Sequence, residues 1–185
     1  MSDVIIKQLP EEDIKRAAEV DRSEHITTGY VFRNGVLEPQ VVNWEVPKWS
    51  DDPESGFSAQ SRIERWAAVL SRGGVLLGAM DGEKLAGFAV LLPELSEGVA
   101  QLAALFVDRS YRGRGVATRL VQEVERLALE AGARRLYVSA IPSGSAVGFY
   151  LKCGFNPTHE VNEDLFALEP DDIHMIKDMT HGSRQ

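Results

Sequence analysis

The spacing of apolar and polar residues divides the chain into a loosely patterned first third and a strongly patterned remainder. Residues 4–9, "VIIKQL", read as a strand, and Pro10 followed by Glu11, Glu12 and Asp13 predicts the acid-rich first turn of a helix running to about Val20. Between 21 and 57 the pattern weakens. Asn34-Gly35 between "YVF" and "VL" is a hairpin signal, but Pro47 and Pro53 punctuate the residues after it, so this stretch reads as an irregular arm covering part of the core. Ile63, Trp66, Ala67 and Leu70 then recur at helical spacing, with Gly73-Gly74 as the stop.

Beyond Gly74 the periods are clear. "GGVLLGAM", the turn Asp81-Gly82 and "EKLAGFAVLL" predict an antiparallel hairpin, and "GVAQLAALFVD" is a third extended apolar segment. Val116, Leu120, Val124, Leu127 and Ala131 form one stripe of a helix from about Gly115, closed by Gly132. "RRLYVSAI" reads as a buried strand, and "SGSAVGFYLKCG" as a short helix with Ser143 or Ser145 at its N-cap and Gly154 at its stop. "EDLFAL" and "IHMIKDM" read as two closing strands around the turn-forming Glu169, Pro170, Asp171 and Asp172. The order predicts an α/β fold with a mixed sheet, antiparallel early, holding at least one strand-helix-strand unit.

A length of 185 residues with 44% hydrophobic content suits one domain with a real core. The net charge of −8, from 28 acidic and 20 basic residues, argues against binding nucleic acid or an anionic membrane and is compatible with a cationic partner such as an amine. Cys153 is the sole cysteine, which excludes an intrachain disulfide and a cysteine-rich metal site; His25, His159, His174 and His181 have no metal-ligand spacing. The start of the chain has no long apolar segment and no run reaches membrane-spanning length, so the expectation is a cytoplasmic protein.

Against this acidic background, "VDRSYRGRGVATRL" is a basic island at a strand-to-helix turn. Unpaired N–H groups and the positive end of a helix dipole meet there, glycines allow close approach, and Arg112 and Arg114 add charge, which together describe an anion site. A P-loop requires Lys and Ser or Thr after the last glycine, where Val116 and Ala117 stand. A dinucleotide fingerprint requires a small residue where Thr118 stands and an acid closing the next strand, which "RRLYVSAI" lacks.

The segment Arg112, Gly113, Arg114, Gly115, Val116, Ala117 resembles the coenzyme A binding motif of the GCN5-related N-acetyltransferases, a Gln or Arg followed by x-x-Gly-x-Gly or Ala. "SGSAVGFYLKCGF" resembles that family's second motif, Asn-x-x-Ala-x-x-Phe-Tyr-x-x-x-Gly-Phe, at Ala146, Phe149, Tyr150, Gly154 and Phe155. The likeness covers residues 74–179; before that only the strand-helix-helix order agrees. It implies one N-acetyltransferase domain over 1–185, with an acceptor-side segment (1–73) and a coenzyme-binding core (74–180). Its sheet would be central and mostly antiparallel, flanked by helices, with one splayed parallel strand pair. It also implies acetyl coenzyme A as cosubstrate, no metal, and direct attack of a small-molecule or peptide primary amine on the thioester. The backbone of Leu105, Phe106 and Val107 would pair with the pantetheine arm, one N–H polarising the thioester carbonyl. The amides from Gly113 to Thr118, with Arg112 and Arg114, would hold the pyrophosphate. Tyr150 would protonate the leaving thiolate. Pairing through terminal strands is common in this family, which leaves a homodimer open.

Three positions depart from the family pattern. Ser143 stands where an Asn commonly contacts the pantetheine arm, and Gln101 and Val138 stand where members carry a catalytic Glu. The base is then a water chain, a carboxylate (Asp21, Glu24, Glu38 and Glu45 of the arm, or Glu97), or unnecessary for an amine that arrives neutral. Glu24 is the preferred base or acceptor contact, because "DRSEHI" follows the first helix, where the family builds its acceptor pocket. The alternative is a sensor of this fold that binds acetyl coenzyme A with little catalysis. Cys153 reads as a packed thiol and Trp66 as core; Trp44 and Trp49 either line the acceptor pocket or pin the arm.

Overall fold

The computed structural model describes residues 4–179. His181 and the outermost residues of the expected 1–185 span lie outside it. Among the described residues nine strands occur in chain order: β1 (Ile5–Leu9), β2 (Glu24–Arg33), β3 (Val36–Val46), β4 (Val75–Asp81), β5 (Lys84–Ser96), β6 (Val99–Val107), β7 (Arg135–Ala140), β8 (Asn156–Pro157) and β9 (Ile173–Asp178). The helices are α1 (Ala59–Leu70), α2 (Val116–Glu130), α3 (Gly144–Lys152) and α4 (Glu163–Leu168), with 3₁₀ segments at Glu11–Glu19 and Arg109–Tyr111. The main sheet has the order β1-β4-β5-β6-β7-β9-β8 and is antiparallel except at β6–β7.

Both faces of this sheet are covered, which is why its central strands are apolar without interruption. On one face Leu120, Val124 and Ala128 of α2 meet Ala89 and Leu91 of β5. On the other, Ile14 of the first 3₁₀ segment and Trp66 and Leu70 of α1 meet Phe88 and Val90 of the same strand. Each large side chain so buried contributes roughly 1.5–3 kcal/mol relative to exposure.

Three expectations change. Residues 11–19 wind as a 3₁₀ segment rather than an α-helix, keeping the acidic first turn. The arm is not irregular throughout: β2 and β3 pair over nearly their whole length around Asn34-Gly35, and only the stretch after Val46 lacks regular pairing. "EDLFAL" is helix α4, not a strand, because the Asn162 side chain caps it by accepting from Leu165 N–H at 3.0 Å, and Glu163 and Asp164 complement the dipole of its first turn.

The β2–β3 hairpin docks on the junction of β7 and α3. Tyr30 N–H donates to the Pro142 carbonyl at 2.9 Å, and Gly29 bridges Ser143. A Cβ at Gly29 would fall 2.9 Å from the Trp44 ring and 3.3 Å from the Pro142 carbonyl, so this close approach needs glycine.

Candidate active site

The parallel ladder between β6 and β7 has three rungs, Val99–Arg135, Ala100–Leu136 and Gln101–Tyr137. Beyond Gln101 the two strands part while β6 stays paired with β5. A bulge accompanies the parting: Val90 faces Ala104 and Leu91 faces Leu102, so Ala103 has no opposite number. The extra residue reverses the parity of β6. Ala100 and Leu102 point to the α2 face before it, and Leu105 and Val107 do so after it, while Ala104 and Phe106 join the α1 face.

The splay opens a cavity of about 500 Å³. Leu105, Phe106 and Val107 form one wall, and Ile141, Ser143, Phe149 and Tyr150 another. Arg22, Glu24, Ile26 and Val46 close the arm side. Asp108 N–H donates to the Ala86 carbonyl at 2.9 Å, and backbone groups of an antiparallel strand alternate toward and away from the partner. Phe106 therefore gives its backbone groups to β5. Leu105 and Val107 turn theirs to the open edge, which narrows the three-residue expectation to two.

At the start of α2, Gly113 and Gly115 have φ of +73° and +75°. No atom lies within 4 Å of a Cβ built at either, so glycine is required here by conformation rather than space. The helix has no side-chain N-cap, and the N–H groups from Gly113 to Thr118 make no hydrogen bond among the described residues. Gly113, Gly115, Val116, Ala117 and Thr118 all line the cavity, so its α2 end is a cradle of free donors. The two arginines of the turn separate. Arg112 lines the cavity and is held by donating Nε to the Val107 carbonyl at 3.3 Å and Nη1 to the Ser23 carbonyl at 3.1 Å. Arg114 lies over the Tyr111 ring, 5.3 Å from its centroid, and is not among the lining residues.

Ser143 caps α3 by accepting from Ala146 N–H at 3.1 Å and is 2% exposed, so its hydroxyl is engaged in building the wall. Tyr150 sits on α3 with 7% exposure, and no described residue hydrogen-bonds its hydroxyl. Burial pushes the phenol well above its ordinary pKa, helped by Cys153 and Asp172, so it remains protonated. Gln101 is 7% exposed on the last rung, and Val138 is buried.

Of the arm carboxylates, Glu24 alone lines the cavity. Asp21 is drawn down to about 2 by hydrogen bonds from Ser23, aided by Lys48 at 3.2 Å, and Glu45 pairs with His25. Trp49 packs on Trp66 and Phe106, whereas Trp44 is 41% exposed. Burial raises the Cys153 thiol, which fits a packed side chain. Pattern reading missed Ile26 and Val46, whose positions depend on how the hairpin docks, and Arg22, which stands inside the "DRSEHI" stretch singled out for Glu24. It also missed Asp172, a half-buried carboxyl pushed up to about 7, chiefly by burial. Among the described residues, no cluster of three or more His, Cys, Asp or Glu could hold a metal ion, and no helix is long and apolar enough to cross a membrane.

No curated protein matches the chain by sequence. Solved structures do match its fold. Nourseothricin acetyltransferase superposes with a TM-score of 0.71 at 18% identity, covering 96% of this chain and 99% of that one. A proposed streptothricin acetyltransferase from Bacillus anthracis, in complex with acetyl coenzyme A, gives 0.69 at 20% identity over 96% and 99%. PaiA N-acetyltransferase from Thermoplasma acidophilum, in complex with coenzyme A, gives 0.62 at 20% over 95% and 99%. The model of the acetyltransferase (GNAT) family matches residues 39–155, taking in most of β3, the cleft, the glycine turn and α3. That match spans well over half of the chain, and the protein belongs to the GNAT acetyltransferase family.

Proposed function

We propose that the chain is a single N-acetyltransferase domain, with 1–73 on the acceptor side and 74–180 binding the coenzyme, that transfers an acetyl group from acetyl coenzyme A to a primary amine on a small molecule or peptide. The observation that carries this reading is the junction of an open strand edge with a helix start bearing free amides, both lining one cavity. The residues present fit a long ligand with an extended amide chain at one end and a pyrophosphate at the other. When bound, acetyl coenzyme A supplies an acyl group activated as a thioester.

The protein's own groups then divide the work. The amides from Gly113 to Thr118 donate to phosphate oxygens, with Arg112 adding charge. Leu105 and Val107 offer the open backbone edge to the pantetheine amides, as in strand addition. The amine attacks the thioester carbonyl carbon, the C–S bond breaks, and Tyr150 gives its hydroxyl proton to the departing sulfur. Glu24, directly or through water, accepts the proton that the amine loses. A second reading, binding without turnover, is motivated by Gln101 and Val138, neither of which can take a proton.

Calorimetry with acetyl coenzyme A, coenzyme A, ATP and NAD tests the first half: binding of the two coenzyme A species alone is expected. Thiol release across a panel of primary amines tests the second. Binding without release for any amine favours the sensor, and ATP or NAD binding with no response to coenzyme A overturns both readings.

A further inference from the structure

Arg22 is the one charged group of the cavity wall that the proposed chemistry leaves without a task. It is 9% exposed and lines the cavity, and its guanidinium lies over Trp49 at 4.4 Å from the ring centroid and over Phe57 at 5.3 Å. Its Nε is buried without a hydrogen-bond partner among the described residues, and so is Nε1 of Trp49, the ring beneath it. Both atoms are donors closed off from solvent, so a ligand in the cavity meets the guanidinium at its Nη groups, which are not among these closed-off atoms and have no acceptor among the described residues. Buried polar groups in folded proteins are nearly always satisfied, and orphans at a site call for a ligand or another explanation.

The charges around it point the same way. No carboxylate pairs with Arg22 among the described residues; burial pulls its guanidinium down to about 10, and Arg62 pushes in the same direction. It is still cationic at neutral pH. A chain of net charge −8 thus keeps a buried arginine with no acidic partner and a second arginine nearby. The backbone holds it there: Asp21 N–H donates to Asp108 Oδ2 at 3.0 Å, Arg109 N–H donates to the Asp21 carbonyl at 2.9 Å, and Arg112 clasps the Ser23 carbonyl.

Its place in the cleft decides which ligand it meets. Trp49 packs on Trp66 and Phe106, on the α1 face of the sheet, whereas α2 and its free amides lie against the opposite face. Arg22 is therefore at the acceptor end, beside lining residues Ile26, Val46 and Phe106 and on the same side as Glu24. We infer that Arg22 binds an oxyanion on the acceptor, which makes the acceptor class an amine with a carboxylate and an apolar body, such as an apolar amino acid or a short peptide bearing one. This rests on the acetyltransferase reading above.

The test pairs L-leucine and L-phenylalanine with their amides as acceptors. The amides have the less basic amine and differ in intrinsic reactivity, so the quantity read is how the acid-to-amide ratio of kcat/KM changes from wild type to Arg22→Gln. A fall of about tenfold to hundredfold in that ratio is expected, the size of a lost charge-assisted hydrogen bond, with coenzyme A affinity unchanged. Arg22→Lys should restore part of it. With wild type, 3-phenylpropionate should inhibit competitively against the acceptor and 3-phenylpropionamide should not, a comparison that needs no variant to fold. An unchanged ratio, or use of amides only, overturns the inference and leaves the acetyltransferase intact. Loss of coenzyme A affinity in Arg22→Gln assigns the arginine to a coenzyme phosphate and also overturns it. No turnover of any amine overturns it together with the reading on which it rests.

Discussion

Arg112 reaches back along its own turn to the carbonyl of Val107, 3.3 Å from Nε, on the edge of β6 that β7 leaves open. Arg114, two residues on, instead covers the Tyr111 ring. The two arginines of one motif are thus unequal. Arg112→Ala is expected to weaken coenzyme A binding about tenfold, since it removes a cation that also ties the Ser23 segment to the cleft. Arg114→Ala should weaken it less than about threefold, because its guanidinium is engaged with the Tyr111 ring and lies outside the cavity lining. Titration calorimetry on both variants decides the matter; equal losses would contradict the separation seen in the structure.

The glycines on either side of Arg114 are constrained by φ alone, since an added Cβ would meet nothing at either position. Gly113→Ala and Gly115→Ala should therefore each cost about 1–2 kcal/mol of stability, readable in thermal or urea unfolding. The change also tilts the neighbouring amides of the helix start, so coenzyme A affinity should drop along with stability. A variant that is destabilised yet binds normally would show that the amides of this turn do not hold the pyrophosphate.

Tyr150→Phe removes a proton donor and keeps the ring that packs on Phe149 and Phe155. The expected outcome is a fall in kcat of about a hundredfold with coenzyme A affinity nearly intact, as for loss of general acid catalysis. Because burial keeps the phenol protonated, the alkaline limb of the wild-type pH–rate profile should belong to another group. Stopped thiol-release assays from pH 6 to 10 on both proteins check the two statements, and an unchanged kcat removes Tyr150 from the reaction.

β6 shows where reading by pattern ends. "AQLAALF" is apolar but for Gln101, so nothing in its composition marks Ala103 as the bulge that switches Leu105 and Val107 to the α2 face and lets the strands part. The glycine turn and α3 were legible because φ demands and cap chemistry are local: Gly115 needs positive φ, and Ser143 accepts from Ala146 N–H whatever lies beyond. On the arm side only Glu24 was anticipated, from its place after the first helix; Ile26 and Val46 were not legible, because they reach the cavity through the docking of Gly29 and Tyr30 on Pro142 and Ser143, more than a hundred residues away. The short apolar "EDLFAL" suits either strand or helix by composition, and one capping side chain, Asn162, settles it.

Asp172 immediately precedes β9 with its carboxyl pushed up to about 7, first by burial and then by Glu169 and Asp171, with Arg62 and Arg65 acting against them. In the unfolded chain an aspartate titrates near 3.9, so the folded protein holds this proton more tightly. The stability it contributes is fully present below about pH 4 and is lost as pH rises through about 7, because above that the folded state must carry a poorly solvated charge. Asp172→Asn keeps the shape and removes the charge. Its Tm should exceed that of wild type by a few degrees at pH 8, each kcal/mol being worth about 2–4 °C in a chain of this size, and the gap should close toward pH 4.5. Melting curves at half-unit pH intervals measure it, and a gap that does not depend on pH would mean that Asp172 titrates in the ordinary carboxylate range.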